Sequence, residues 1–396
     1  MSRRVPRALL ALVLALAAAG VVVVLTQSPA SRLSSDFTIN YSAGTLVRQG
    51  HFAAPYQQAE LGDMMRRVAP SGAIDPRLPF SLPLGAALPY AVLSLLPIEL
   101  AFRLWQLVTV AFLLMAVVLL QRAAPSVASA GGGGKIAVPG LAMVGLLAAI
   151  PTWATLTEGQ PTAWLFLGGA VVVAVLRADS PALAAGAGVL LAVKPQYLPA
   201  YLAILIAARR WRSVAAAAAG AGLLLLSPLV GGTAGLTAMV HNALSANQAV
   251  AVRLNESWIG LIGPALPASS ATVVAIVLYL GVLAALLVVA WRRPSSVIGF
   301  AALAGALTVL ASPHALPHDL LILAVPAWLA FVLYREGALP NPLPGLLAVD
   351  VALLLDLRGV DLPLGPIVMT AVVAWYGWQF RQRAAQRRRP PIGRAA

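Results

Sequence analysis

The sequence contains no cysteine, which excludes disulfides, thiolate nucleophiles and cysteine-ligated metal sites. Charge is also scarce: only 10% of the 396 residues are Asp, Glu, Lys or Arg, whereas soluble domains carry about 25%. Hydrophobic residues make up 60% of the chain, and the mean hydropathy is +0.87. This combination predicts an all-α polytopic membrane protein.

Acidic residues are scarcer than basic ones: the chain has 13 Asp and Glu and 27 Lys and Arg, which gives a net charge of +14. A basic excess is also typical of nucleic-acid-binding proteins. Here, however, the basic residues lie in short connections between apolar segments and in the tail from Arg381 to Arg394, where charges orient membrane helices. We therefore predict no nucleic-acid partner. No Gly-rich phosphate loop follows a strand, so no nucleotide site is predicted either.

Apolar segments bounded by Arg, Gly or Pro predict about twelve transmembrane helices. The segments are 8–26, 100–121, 136–154, 160–176, 181–193, 196–208, 213–230, 271–291, 295–311, 318–334, 342–357 and 363–380. The first is long enough to span the bilayer, which favours an uncleaved anchor over a signal peptide. We expect one integral-membrane domain over residues 1–380 and a basic cytoplasmic tail over 381–396.

The basic residues also predict the orientation of the helices. If the N-terminus is cytoplasmic, alternate connections hold one consistent basic set: Arg122 with Lys135, Arg177, Arg209 with Arg210 and Arg212, Arg292 with Arg293, and Arg335. This pattern places both termini in the cytoplasm. The extracytoplasmic connections are then 27–99, 155–159, 194–195, 231–270, 312–317 and 358–362. The composition is rich in Ala and Arg and poor in Lys, which suggests a high-GC bacterial genome, so the expected location is a bacterial plasma membrane.

The first extracytoplasmic connection, residues 27–99, is too long for an ordinary loop. In it, Asp36 follows the first helix at the edge of the bilayer. Asp36 is a solvated loop acid, the N-cap of a following helix, or a functional carboxylate. The segment Tyr41–Val47 predicts an amphipathic interfacial helix. The Pro-broken stretch from Pro79 to Leu96 predicts a segment that is re-entrant or packed under the loop.

A succession of short polar motifs runs from Asp36 to about residue 334. In order they are Asp36, Gly50 with Pro55-Tyr56, Leu78-Pro79-Phe80, Ala101–Trp105, Glu158-Gly159-Gln160-Pro161, Lys194-Pro195, Asn255–Leu261 and Ser312-Pro313-His314 with His318-Asp319. This succession resembles glycosyltransferase family 87, the polyprenyl-phosphate-mannose-dependent mannosyltransferases of the GT-C superfamily. The resemblance implies a GT-C fold with an active site between the first outer loop and the helix bundle.

The resemblance also implies the substrates and the base. The donor would be a polyprenyl-phosphate sugar, and the acceptor a glycolipid or polysaccharide, with membrane lipids around both. In such enzymes an Asp of the first outer loop acts as general base, and Asp36 is the matching position. An acceptor hydroxyl must lose a proton as it attacks the anomeric carbon, so a carboxylate within hydrogen-bond reach suits this role. Direct displacement with one base predicts inversion at that carbon.

Three further side chains are candidates for binding the donor. Lys194 would stabilise the leaving phosphate, or it is a snorkelling lysine that marks a helix end. His314 and His318 would bind a phosphate or sugar hydroxyls, or serve a structural role. A metal site formed by both histidines with Asp319 is another alternative. We predict no cofactor beyond the lipid-linked donor.

Polar residues of other outer connections complete the predicted site. Gln160 and Asn255 lie at helix ends, where their amides would bind sugar hydroxyls or cap the helices. Arg77 and Arg253 would contact anionic headgroups. Most outer arginines, however, simply lie in the membrane interface.

Three acids are candidates for a different catalytic base or a different function. Glu158 and Glu256 are alternative bases. Asp350 falls in the middle of segment 342–357, and an acid inside a membrane is a functional hypothesis by default. It favours the second function considered, a transporter of lipid-linked saccharides, because transporters place ionisable residues near the bilayer midplane. Outside the cytoplasmic connections, the other titratable residues concentrate at the outer face, which favours the enzyme.

Overall fold

The computed structural model describes residues 7–70, 74–123, 144–249, 255–357 and 362–388, which form helices and turns and no β-strand. This confirms the all-α class. The first part of predicted helix 136–154, Lys135, Arg253 and residues 389–396 lie outside the described residues. The α-helices are α1 (Arg7–Thr26), α2 (Pro29–Leu33), α3 (Asp36–Arg48), α4 (Gln58–Val68), α5 (Leu88–Leu93), α6 (Ile98–Ala123), α7 (Ile150–Glu158), α8 (Thr162–Ala178), α9 (Pro181–Ala192), α10 (Leu198–Ala207), α11 (Trp211–Leu225), α12 (Thr233–Ala249), α13 (Trp258–Ile262), α14 (Ala268–Trp291), α15 (Val297–Leu310), α16 (Ala324–Arg335), α17 (Leu343–Leu357) and α18 (Leu364–Arg388).

Among the described residues, four helical stretches are long and apolar enough to cross a membrane: Ile98–Ala123, Trp211–Gly231, Ser269–Trp291 and Pro317–Arg335. Shorter apolar helices occupy other predicted segments, including Thr162–Ala178 and Val297–Leu310. Large apolar side chains on these helices are exposed, with Leu107 at 66%, Leu223 at 75% and Val277 at 63%. A surface of this kind needs lipid around it. The chain is therefore a membrane protein, and the exact number of spans stays a prediction.

Helices α9 and α11 approach closely through small residues. A Cβ on Gly188 would collide with the carbonyl oxygen of Ala217, and a Cβ on Gly220 would collide with that of Ala185. Glycine at both positions lets the two backbones touch, as is common between membrane helices. Because α9 ends at Ala192, this packing fixes the point from which Lys194 projects.

The first long connection differs from its sequence prediction. Helix α3 begins at Asp36, and all its residues from Phe37 to Val47 are buried, so the prediction of an amphipathic interfacial helix over Tyr41–Val47 is wrong. Two of its buried hydroxyls are satisfied by backbone carbonyls: that of Thr38 donates to the carbonyl of Leu33 (2.8 Å) and that of Thr45 to the carbonyl of Tyr41 (2.9 Å), whereas the buried hydroxyl of Ser42 has no hydrogen-bond partner among the described residues. The amphipathic helix of this region is α4.

Helix α4 buries Leu61, Met64 and Met65 and exposes Arg66 and Arg67. Helix α5 packs against α3, which agrees with the packed alternative for the Pro-broken stretch. The hydroxyl of Tyr41 donates to the carbonyl of Leu96 at 2.7 Å and strengthens this packing. The second long connection contains α12, which the sequence did not predict because Thr233–Ala249 is only weakly apolar.

Candidate active site

The turn that follows α7 holds Asp36 from two sides. The side-chain amide of Gln160 donates to Oδ2 of Asp36, and the carboxylate of Glu158 accepts the backbone N–H of Asp36. Asp36 is the first residue of α3, and the N-cap Ser35 makes no side-chain capping bond. Glu158 therefore takes the place of the missing cap. A segment 124 residues away along the chain thereby fixes the carboxylate of Asp36.

Gly159 shapes this turn. Its φ of +63° is left-handed, and the N–H of Gln160 reaches back to the carbonyl of Thr155 at 3.2 Å, which closes a Schellman-type helix end. A Cβ at residue 159 would lie 2.6 Å from the Cβ of Phe37. Glycine is therefore required both by the backbone conformation and by the contact with α3.

Lys194 forms a buried ion pair with Asp319. Asp319 is fully buried and Lys194 is only 8% exposed, which is not the geometry of a snorkelling lysine. The Nζ atom of Lys194 also lies 3.3 Å from Nε2 of His318. Oδ2 of Asp319 accepts the N–H of Leu316 at 3.1 Å, so both carboxylate oxygens have partners. The structure thus joins three of the sequence-predicted polar residues in one cluster.

Asp36 with its partner Gln160, and the cluster of Lys194 with Asp319, lie near each other in the protein. Burial raises the pKa of Asp36 above its ordinary value, while the hydrogen bond from Gln160 and the positive charge of Lys194 lower it, and the charge of Asp319 raises it again. The hydroxyl of Thr155 on α7 donates to the carbonyl of His318 at 3.2 Å and links the two groups. A carboxylate with a raised pKa is a stronger proton acceptor.

Asn255 holds the loop that carries His314. Its Nδ2 donates to the carbonyl of Pro313 (3.1 Å), and its Oδ1 accepts the N–H of Ala315 (3.1 Å) and the hydroxyl of Ser257 (2.8 Å). The amide is therefore bonded to protein groups on both sides. Burial lowers the pKa of His314 to about 4, so its imidazole is neutral at pH 7.

Other predicted residues lie apart from this cluster. The guanidinium of Arg77 is exposed and pairs with Asp75 at 2.9 Å; no contact within the described ranges joins it to Asp36 or Lys194. Oδ1 of Asp350 accepts the N–H of Ile150 at 3.3 Å, so this acid is paired inside the helix bundle. Over the part of the chain that the structure describes, no three His, Asp or Glu residues form a metal-binding group.

Glu256 is a buried acid whose environment the sequence did not show. It is 4% exposed, and its N–H donates to the carbonyl of Ala315 at 2.6 Å. Burial and the charge of Asp356 raise the pKa of Glu256 to about 8. Asp356 itself accepts the N–H groups of Leu364 (2.9 Å) and Gly365 (2.6 Å). Glu256 is thus mostly protonated at neutral pH, which makes it a poor base there.

The raised pKa of Glu256 makes stability depend on pH. Its value in the fold is about 8 against an ordinary 4.5, so its contribution is complete below about pH 4.5 and is lost as the pH rises through about 8. We expect the Tm of detergent-purified protein to fall from about pH 5 to about pH 8.5, and Glu256→Gln to flatten this fall. The matched control is Glu60→Gln, at an exposed position of α4. Parallel wild-type and Glu256→Gln profiles would contradict the assignment.

The family model of glycosyltransferase family 87 matches residues 80–313, which is more than half of the chain. The match includes Glu158, Gln160, Lys194 and Asn255; Asp36 precedes it, and His314 follows it directly. No curated protein matches the chain.

Proposed function

Because this chain belongs to glycosyltransferase family 87, we propose that it transfers a sugar, namely mannose, from a polyprenyl-phosphate donor to a glycolipid or polysaccharide acceptor. The observation that carries the proposal is the carboxylate of Asp36, held by Gln160 and lying within electrostatic reach of the buried Lys194. A base beside a cation is what a displacement at a sugar phosphate requires.

In the proposed reaction Asp36 acts as general base. Its carboxylate takes the proton of an acceptor hydroxyl while the hydroxyl oxygen forms a bond to the anomeric carbon. The bond between that carbon and the phosphate oxygen breaks, and the electron pair leaves with polyprenyl phosphate. One displacement inverts the anomeric carbon. The environment of Asp36 supports this role, because burial makes its carboxylate more basic.

The other residues are proposed to bind the substrates. Lys194, with the imidazole of His318 beside its Nζ at 3.3 Å, is the cation that would face the leaving phosphate. Gln160 uses one amide hydrogen on Asp36 and keeps a second hydrogen for a sugar hydroxyl. His314 would contact the sugar as a neutral imidazole, on the loop that Asn255 holds in place.

Arg77 is proposed to meet a lipid headgroup rather than the reacting atoms, since its guanidinium is exposed and paired with Asp75. We propose about twelve spans with cytoplasmic termini in a bacterial plasma membrane and an active site on the outer face. The basic connections support this orientation. Residues of connections 27–99, 155–159 and 194–195 cluster with residues at the first ends of segments 160–176 and 318–334. This clustering also supports the orientation, because connections and helix ends on one side of a membrane meet at one end of the bundle.

Transport is the less supported function. Asp350 was the residue that favoured it, and its carboxylate is bonded to the backbone N–H of Ile150. That bond gives Asp350 a structural role at the start of α7.

The test is sugar transfer by the purified protein in liposomes with radiolabelled polyprenyl-phosphate mannose and an acceptor lipid extract. We expect label in the acceptor, inverted at the anomeric carbon, and none when a nucleotide sugar replaces the lipid donor. Polyprenyl-phosphate glucose in parallel tests the sugar. Transfer from the nucleotide sugar would contradict the donor class. Movement of the intact lipid-linked sugar across the bilayer without transfer would favour transport.

A further inference from the structure

Two arginines lie together where α1, α2 and α6 meet, next to the segment that leads into Asp36. Arg32 is in the last turn of α2, and its carbonyl accepts the hydroxyl of Ser35 at 2.6 Å. Arg103 is in the second turn of α6, and its Nη1 donates to the carbonyl of Val24 on α1 at 3.2 Å. The two guanidinium groups are close enough for their charges to interact.

The cluster carries more positive than negative charge. Glu99 pairs with Arg32 at 2.9 Å, and its side chain is 49% exposed. Arg103 makes no ion pair among the residues that the structure describes. Nε of Arg32 is buried and has no hydrogen-bond partner. One carboxylate therefore balances two guanidinium groups, and an anion would complete the charge balance.

Arg103 also keeps donors free for a ligand. Both of its described side-chain hydrogen bonds, to the carbonyl of Val24 and to Oε1 of Gln106 (2.8 Å), use Nη1. A guanidinium has five N–H groups, and Nη2 and Nε lie along one edge. That edge has the spacing that binds two oxygens of a phosphate.

The surroundings show which kind of molecule reaches this edge. On α1, Val22 is 56% and Leu25 is 67% exposed; on α6, Leu100 is 50% and Leu107 is 66% exposed. Helix α6 is a candidate membrane span, and Arg103 lies about 8 Å along it from Ile98, where the helix begins. The arginines are therefore at the end of a lipid-facing surface, at the depth of the headgroups.

We propose that Arg32 and Arg103 form a site for a phosphate ester carried by a lipid, at the membrane-facing side of the Asp36 segment. The polyprenyl phosphate of the donor and an anionic phospholipid share this chemistry. As a donor site the cluster rests on the proposed function, in which it makes the first contact with the donor on the lipid side while Lys194 lies nearer the reacting atoms. As a lipid-phosphate site it stands without that function.

The full-length protein is placed in phosphatidylcholine nanodiscs that contain either polyprenyl phosphate or phosphatidylglycerol. It is then released from the nanodiscs, and the lipid that stays bound is measured by native mass spectrometry. The variants are Arg103→Gln, which keeps hydrogen-bond donors but loses the charge, and Arg103→Lys, which keeps the charge but loses the fork-shaped donor edge. We expect Arg103→Gln to bind polyprenyl phosphate about tenfold more weakly, a loss of about 1.4 kcal/mol, and Arg103→Lys to bind at an intermediate level. The matched control is Arg67→Gln at an exposed position of α4, for which we expect lipid binding at the wild-type level.

The two lipids separate the sources of the phosphate. Weaker binding of polyprenyl phosphate alone, or of both lipids, supports a site that the donor uses; weaker binding of phosphatidylglycerol alone supports a site for the bulk lipid. Unchanged binding of both lipids by Arg103→Gln, with an unchanged Tm, overturns the proposal. Lipid binding is measured independently of sugar transfer. If the wild-type protein transfers no sugar but Arg103→Gln binds less lipid than wild type, the proposed function is contradicted and the lipid-phosphate site is supported.

Discussion

Replacing Asp36 with Asn is expected to lower kcat for sugar transfer by about 10²- to 10⁴-fold, the usual contribution of a general base. Asn has nearly the size of Asp and still accepts the hydrogen bond from Gln160 through its carbonyl oxygen. It cannot take a proton from the acceptor hydroxyl. The measurement is initial rate against donor concentration, where we expect KM to change little, since the loss is in the transition state.

Stability separates this effect from unfolding. Burial raises the pKa of Asp36, which means that the fold disfavours its charged form; the neutral Asn is therefore expected to keep or increase the Tm at pH 7. Asp63→Asn is the matched control, since Asp63 is an exposed acid of the same connection, and it should transfer at the wild-type rate. Wild-type kcat in Asp36→Asn would remove Asp36 from the mechanism and make Glu158→Gln the next variant.

Breaking the buried pair of Lys194 and Asp319 is expected to have the largest effect on stability. Lys194→Met leaves the fully buried carboxylate of Asp319 without its cation, and removing one partner of a buried pair costs about 3–5 kcal/mol. The loss is measured as the change in free energy of unfolding in detergent. Adding Asp319→Asn to Lys194→Met removes the unpaired charge, so the double variant should recover most of that stability.

Transfer activity is expected to respond differently from stability. If Lys194 faces the leaving phosphate, the double variant is stable but inactive, because no cation is restored. The matched control is the exposed pair of Arg66 and Asp63 on α4: Arg66→Met and its double with Asp63→Asn should alter stability little, since solvent screens an exposed pair. A double variant that is as unstable as Lys194→Met, or one that transfers sugar normally, would contradict this account.

The sequence predicted most of the helices, because membrane helices are long apolar runs whose ends are marked by Arg, Gly and Pro. Segment 271–291 corresponds to Ala268–Trp291, and segment 295–311 corresponds to Val297–Leu310. The sequence failed for α3, where it predicted an amphipathic helix in the membrane interface and the structure shows a buried one. Burial of that helix depends on α5, which lies more than 40 residues further along the chain, and periodicity within α3 carries no information about such a partner.

The members of the site were easier to predict than their contacts. The sequence placed Asp36 and Lys194 in outer connections and Gln160 and His318 at the outer ends of helices. The structure brings these four side chains together. The bonds from Glu158 and Gln160 to Asp36 join α7 to α3, and no local rule specifies such a pairing. Only the glycine in Glu158-Gly159-Gln160 gave a local sign, because glycine commonly ends a helix in this way.

The double attachment of Asp36 to the end of α7 has a mechanical consequence. A substrate that enters by displacing α3 must either carry the end of α7 with it or break the bonds from Glu158 and Gln160. If those bonds break, the carboxylate of Asp36 loses its alignment, and it is aligned again only when α3 returns to its place. If Asp36 is the base, as proposed, this attachment aligns its carboxylate only while α3 is packed against the end of α7.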